Sequence, residues 1–126
     1  MDFNPQQPIW LQIYNLLCGR IVDRTLQAEE RFPSLRDLGM ELQVNPNTLV
    51  RVYNRMQEEG IIVNRRGVGY FVTTEAHHLI TETWRKEFIH NEVPAFFTRM
   101  MQVGVDFQTL NYLYNKLKES TDENKQ

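Results

Sequence analysis

Cysteine is nearly missing from this sequence: Cys18 is the only one in 126 residues. A lone thiol closes no internal disulfide and forms no CxxC pair, so a disulfide scaffold and a zinc or redox motif of that type are both excluded. Long apolar runs are missing too, the longest being a few residues against the roughly 20 that cross a bilayer. The opening residues MDFNPQQP carry neither the basic residues nor the apolar stretch of an export signal. A cytoplasmic protein with no membrane-embedded part is expected. Net positive charge is also lacking, since 14 Lys and Arg face 16 Asp and Glu for a formal charge of −2. That balance excludes a polycation that coats nucleic acid or membrane.

The 41% apolar and 11% aromatic residues suffice for one globular domain and a short extension. Charge is unevenly placed along the chain. Residues 1–30 hold 2 basic and 4 acidic side chains, residues 31–73 hold 6 and 4, and residues 74–126 hold 6 and 8. The middle piece alone is positive. Its basic residues are all arginine, at 31, 36, 51, 55, 65 and 66, and every lysine lies in the last piece. Arginine's planar fork suits bidentate contact with phosphate and guanine.

Hydrophobic spacing divides the same chain into elements. After Pro8, residues Ile9, Ile13, Leu16, Leu17 and Ile21 recur three to four apart, predicting an amphipathic helix that ends near Asp23 or Arg24. Residues 25–33 have no period. Ser34 with Asp37 three further on reads as a serine N-cap with an acidic partner, starting a second helix that buries Leu35, Leu38 and Leu42 and stops by Gln43. Asn45 followed by Pro46 reads as a second cap with proline in the first turn. Leu49, Val52, Tyr53 and Met56 then fall on one side of a third helix that Gly60 ends. At 100° per residue, Asn47, Arg51, Asn54 and Glu58 lie opposite, with Thr48 and Arg55 on the shoulder.

Beyond Gly60 the period shortens. Residues 61–64 and 69–73 read as two short strands joined by Arg65-Arg66-Gly67-Val68, a hairpin expected to pack through Ile61, Val63, Tyr70 and Val72. Residues 75–119 return to a helical period, with a kink or restart required at Pro94 and a new helix capped by Asp106. The polar tail from Ser120 is expected to fray. The fold class that follows is mainly α with a small β-hairpin: an N-terminal winged helix-turn-helix over residues 1–74 and a C-terminal helical dimerisation region over 75–126.

Such a layout has a chemistry. An α-helix fits the major groove of B-DNA, exposed Arg and Asn contact base edges bidentately, and an arginine-tipped wing reaches phosphates or the minor groove. The candidate DNA-contacting residues are Ser34, Arg36, Asn45, Asn47, Thr48, Arg51, Asn54, Arg55, Arg65, Arg66 and Gly67.

Several linked motifs also match a known family. The runs Pro8-Ile9-Trp10-Leu11-Gln12-Ile13, Phe32-Pro33-Ser34-Leu35-Arg36-Asp37-Leu38, Val44-Asn45-Pro46-Asn47-Thr48-Leu49, Glu59-Gly60-Ile61-Ile62 and Arg66-Gly67-Val68-Gly69-Tyr70-Phe71-Val72 resemble the DNA-binding domain of GntR-type bacterial transcription regulators. The short C-terminal part is similar to that of the YtrA-like subgroup, which implies a small homodimer and a repressor. The resemblance further implies that Arg36, the start of the third helix and the Arg66-Gly67 wing tip approach DNA. It departs where Pro46 and Val50 replace arginines common in the family, which leaves the operator sequence open. Gly39 likewise stands where alanine is usual, at a helix-propensity cost of about 0.5–1 kcal/mol.

The C-terminal helices carry Trp84, Phe88, Phe96, Phe97, Met100, Leu110, Leu113, Tyr114 and Leu117, more apolar surface than two helices hide alone. A two-fold symmetric partner would cover it and place two recognition helices on an inverted repeat of double-stranded DNA. Catalysis is not expected, because no nucleophile motif, carboxylate pair or phosphate-cradling loop is present. No metal or cofactor is expected either, since the adjacent His77 and His78 diverge on a helix and His90 stands apart. The residues name no small-molecule effector. The competing function is a winged helix that docks a protein through the same polar face.

Overall fold

In the computed structural model, residues 2–124 are described and fall into two compact units, through Trp84 and from Arg85 onward. In the first unit, α1 (Ile9–Val22), α2 (Leu35–Leu42) and α3 (Pro46–Glu58) precede an antiparallel hairpin of β1 (Ile62–Arg65) and β2 (Gly69–Val72), and α4 (Ala76–Glu87) begins after it. The predicted caps form. Ser34 Oγ accepts from the Asp37 amide at 3.0 Å, and Asn45 Oδ1 accepts from the Asn47 amide at 2.9 Å with Pro46 in the first turn. Between them Gln43 adopts a left-handed conformation as the C-cap of α2, and the Val44 amide closes onto the Gly39 carbonyl at 3.1 Å. Cap, left-handed residue and proline together produce the sharp helix-turn-helix bend.

Leu49, Val52, Tyr53 and Met56 of α3 are all fully buried, against Ile13, Leu17, Cys18 and Ile21 of α1 and Leu38 and Leu42 of α2. Ile9, expected in the α1 stripe, is exposed at the helix start. Tyr53 anchors the centre: its ring meets Phe32 and Tyr70 edge-on at 5.1 and 5.0 Å, and its hydroxyl donates to the Pro33 carbonyl at 2.7 Å. Burial pushes the Cys18 thiol up to about 12, so it is a protonated core side chain at neutral pH.

Three of the four hairpin residues expected to pack do so, Ile61 and Val72 buried and Tyr70 against the core, but on β1 Ile62 takes the inward place expected of Val63. Ile62 pairs with Val72 and both are buried, whereas Val63 pairs with Phe71 and is exposed. The cause lies in the preceding turn: the Ile61 amide bonds to the Met56 carbonyl and the Thr73 amide to the Ile61 carbonyl, so Ile61 closes α3 and the strand starts one residue later. The aperiodic segment before α2 completes the sheet edge. Phe32 N donates to Tyr70 O at 2.7 Å, Glu29 N to Val72 O and Val72 N to Glu30 O, with an isolated bridge between Arg31 and Phe71.

Ala76 and Ile80 belong to the core of the first unit. The division expected after residue 74 therefore comes too early for the packing, because the first turns of α4 complete that core. The second unit contains the end of α4, a π-helical turn at Phe88–Glu92, α5 (Val93–Gln102) and α6 (Phe107–Asn124). The π turn is the local answer to Pro94. Proline's ring crowds the carbonyl one turn back, and here the Val93 amide reaches five residues back to the Phe88 carbonyl. The tail expected to fray from Ser120 is helical as far as Asn124. Asp106 caps α6, accepting from the Thr109 amide and hydroxyl at 2.9 and 2.7 Å, and those bonds hold its carboxyl below the usual range. Among the described residues, no helix is long and apolar enough to cross a membrane.

Candidate nucleic-acid interface

The outward side of α3 is a strip of forks and amides. Asn47, Arg51, Asn54 and Arg55 are exposed, while Thr48 is half-buried. With Val50 and Glu58, the four exposed residues line a shallow open groove whose far wall is Trp10 of α1. Arg51 lies over the Trp10 ring, its guanidinium carbon 4.5 Å from the centroid. Arg55 is held differently. It lies 5.5 Å from both Trp10 and Tyr14, and its Nε is 3.5 Å from Glu59 Oε1, which also accepts the Tyr14 hydroxyl at 2.6 Å. Partial burial, then the bond to Glu59, raises the Tyr14 hydroxyl well above its usual range, which keeps it a donor.

Arg36 is exposed on α2 beside Pro46, the first residue of α3. Ser34 and Asn45 are exposed too, but their side-chain oxygens are committed to the caps. Among the described residues no carboxylate pairs with Arg36, Arg51 or Arg66. Three exposed cations are therefore left without an ion-pair partner.

Arg65, Arg66 and Gly67 form the exposed wing tip, closed by a 2.9 Å bond from the Val68 amide to the Arg65 carbonyl. Gly67, at φ +77°, makes the turn that a β-carbon would strain. Arg65 folds back over Phe71, 4.2 Å from the ring centroid. A further arginine braces the tip: Arg31 Nη2 donates to the Val68 carbonyl at 2.9 Å. It lies across Gly69, where a β-carbon would come within 3.3 Å of its guanidinium, and Gly69 has φ +136°.

Arg31, Gly69, Trp10 and Tyr14 are the participants that sequence reasoning left out of the site. Charge had marked Arg31, but nothing local tied it to the wing 37 residues on. The spacing of Trp10 and Tyr14 matched that of core residues.

In the second unit none of the residues through Asp122 is buried, and Met100 and Leu110 are only half-buried. Phe88, Phe96, Phe97, Leu113, Tyr114 and Leu117 are exposed, and so is Trp84 at the end of the first unit.

Three helices with a capped tight turn, an outward polar face on the third and a basic-tipped hairpin define a winged helix-turn-helix. Residues 10–72 match the family described as bacterial regulatory proteins, gntR family. The chain is 31% identical over 104 residues to the HTH-type transcriptional regulator YhcF of Bacillus subtilis, covering 82% of this chain and 84% of that one. It is 24% identical over 111 residues to the HTH-type transcriptional repressor YtrA of the same organism, covering 88% and 85%. A solved GntR family transcriptional regulator from Listeria monocytogenes superposes with a TM-score of 0.73 at 28% identity, covering 90% of this chain and 98% of that one. The chain belongs to the GntR family: it is a DNA-binding transcriptional regulator and not an enzyme.

Proposed function

We propose that the chain is a cytoplasmic repressor that acts as a homodimer on an inverted-repeat operator. In this reading α3 enters the major groove with Asn47, Arg51 and Asn54 toward the base edges. Arg36 and the caps at Ser34 and Asn45 approach the flanking phosphates, with Thr48 and Arg55 at the groove wall. The wing, through Arg65, Arg66 and Gly67, reaches the adjacent backbone or minor groove. The observation that carries the DNA contact is the exposed strip of α3 beside cations without acidic partners. The observation that supports the homodimer is the second unit's apolar helices, which hide none of the side chains through Asp122. Similarity to a protein named a transcriptional repressor supports repression over activation.

The test is selection of duplexes from a random library by the full chain. Enrichment of an inverted repeat with half-sites about one DNA turn apart is the expected result. Enrichment of no sequence would contradict the reading and favour a winged helix that docks a protein. Replacing both Arg65 and Arg66 with Ala separates the two further: it lowers DNA affinity in the first case and leaves protein docking largely intact in the second.

A further inference from the structure

Two aromatic residues on α1, Trp10 and Tyr14, stand one turn apart, and two arginines on α3, Arg51 and Arg55, stand one turn apart facing them. The Tyr14 rung is closed by a carboxylate. Glu59 receives the Tyr14 hydroxyl at 2.6 Å and the Arg55 Nε at 3.5 Å, which occupies Arg55 within the protein. The Trp10 rung has no such closure: the Arg51 guanidinium carbon lies over the indole, 4.5 Å from its centroid and nearer than that of Arg55 at 5.5 Å, and among the described residues no carboxylate takes the Arg51 N–H groups. Stacking uses the π face of a guanidinium and leaves its in-plane donors available.

We propose that Trp10 is a positioning residue for operator recognition. It holds the Arg51 guanidinium so that its N–H edge meets O6 and N7 of a guanine in the major groove. The proposal rests on the reading of DNA as the ligand of α3. An unsupported arginine samples many rotamers before it forms two parallel bonds to one base, whereas a stacked one has fewer to lose. DNA on the open side of the groove would also exclude water from the stack, and cation–π attraction strengthens on desolvation.

The experiment is a double-mutant cycle in the full chain on the duplex that the wild-type chain enriches, with Trp10→Leu, Trp10→Phe, Arg51→Ala and the Trp10→Leu/Arg51→Ala pair. Leucine keeps apolar bulk against the core without a π face, and phenylalanine keeps the face. Trp10→Leu is expected to weaken binding about 3- to 30-fold, with Trp10→Phe retaining most of the affinity. In the Arg51→Ala background the same Trp10→Leu change is expected to cost less than about two-fold. The preference for the enriched duplex over a scrambled one should fall in Trp10→Leu as it does in Arg51→Ala. Without DNA, the Arg51 Nε–H proton is expected to show a ring-current shift that disappears in Trp10→Leu. Equal losses from Trp10→Leu in both backgrounds would overturn the proposal alone, and so would an Nε–H resonance that does not move. Enrichment of no duplex by the wild-type chain would overturn the DNA reading and this proposal with it.

Discussion

Gly39 sits inside α2, where glycine costs helix stability relative to alanine, yet it is buried at the closest part of the helix-turn-helix bend. A β-carbon there would lie 3.4 Å from the Val44 carbonyl oxygen and 3.7 Å from Leu49 Cδ1. These are contacts an alanine methyl accepts and a branched side chain does not. Gly39→Ala is therefore expected to raise stability by about 0.5–1 kcal/mol, and Gly39→Val to lower it, as measured by urea unfolding. Destabilisation by alanine would show that the bend requires the missing atom. The sequence reveals that a glycine interrupts a helix, but the space around it is set by a carbonyl five residues on. Caps were easier to read. Ser34 and Asn45 act on amides within three residues, so their role is local, whereas Trp10, Tyr14 and Arg31 act on partners remote in sequence.

Among the elements, α3 was legible because four buried side chains repeat at helical spacing over a polar remainder. The hairpin was legible, and so was the inward face of β2 through Tyr70 and Val72, but the inward residue of β1 was not. Ile61, Ile62 and Val63 form an unbroken apolar run in which either alternation is possible. The choice is made by the turn after α3, whose bonds from Ile61 to Met56 and from Thr73 to Ile61 push the strand start to Ile62. Ile62→Ala should accordingly cost about 2–5 kcal/mol, while Val63→Thr should stay within about 0.5 kcal/mol. Thermal unfolding of the two variants checks this, and the reverse order of losses would contradict the register. Pro94 announced an interruption whose form the sequence did not specify. A π turn keeps the backbone helical through it, with Val93 bonding to Phe88.

At the scale of the whole molecule, the formal charge of −2 conceals an arginine-only excess between residues 31 and 73, placed on the wing, α2 and the outward face of α3. A locally basic surface on an acidic chain limits non-specific attraction to DNA and leaves discrimination to base contacts. The second unit has a different task. In the proposed homodimer, helices that expose Phe88, Phe96, Phe97, Leu113 and Leu117 would be covered by a partner of the same kind, and two-fold symmetry would duplicate the reader. Light scattering at micromolar concentration should give twice the 15.0 kDa of one chain, shifting toward the single-chain mass in Phe96→Glu or Leu117→Glu. A single-chain mass for the wild type would refute the homodimer.

In the proposed complex, the exposed face of α3 reads base sequence through Arg51. The most direct measurement is the affinity of the wild-type chain and of Arg51→Ala for the enriched duplex and for a scrambled one, each across a salt series. The expected result is a loss of about 1–3 kcal/mol in the variant, confined to the enriched duplex. Equal losses on both duplexes, with a salt slope lower by about one, would instead assign Arg51 to a phosphate and contradict base readout by this residue.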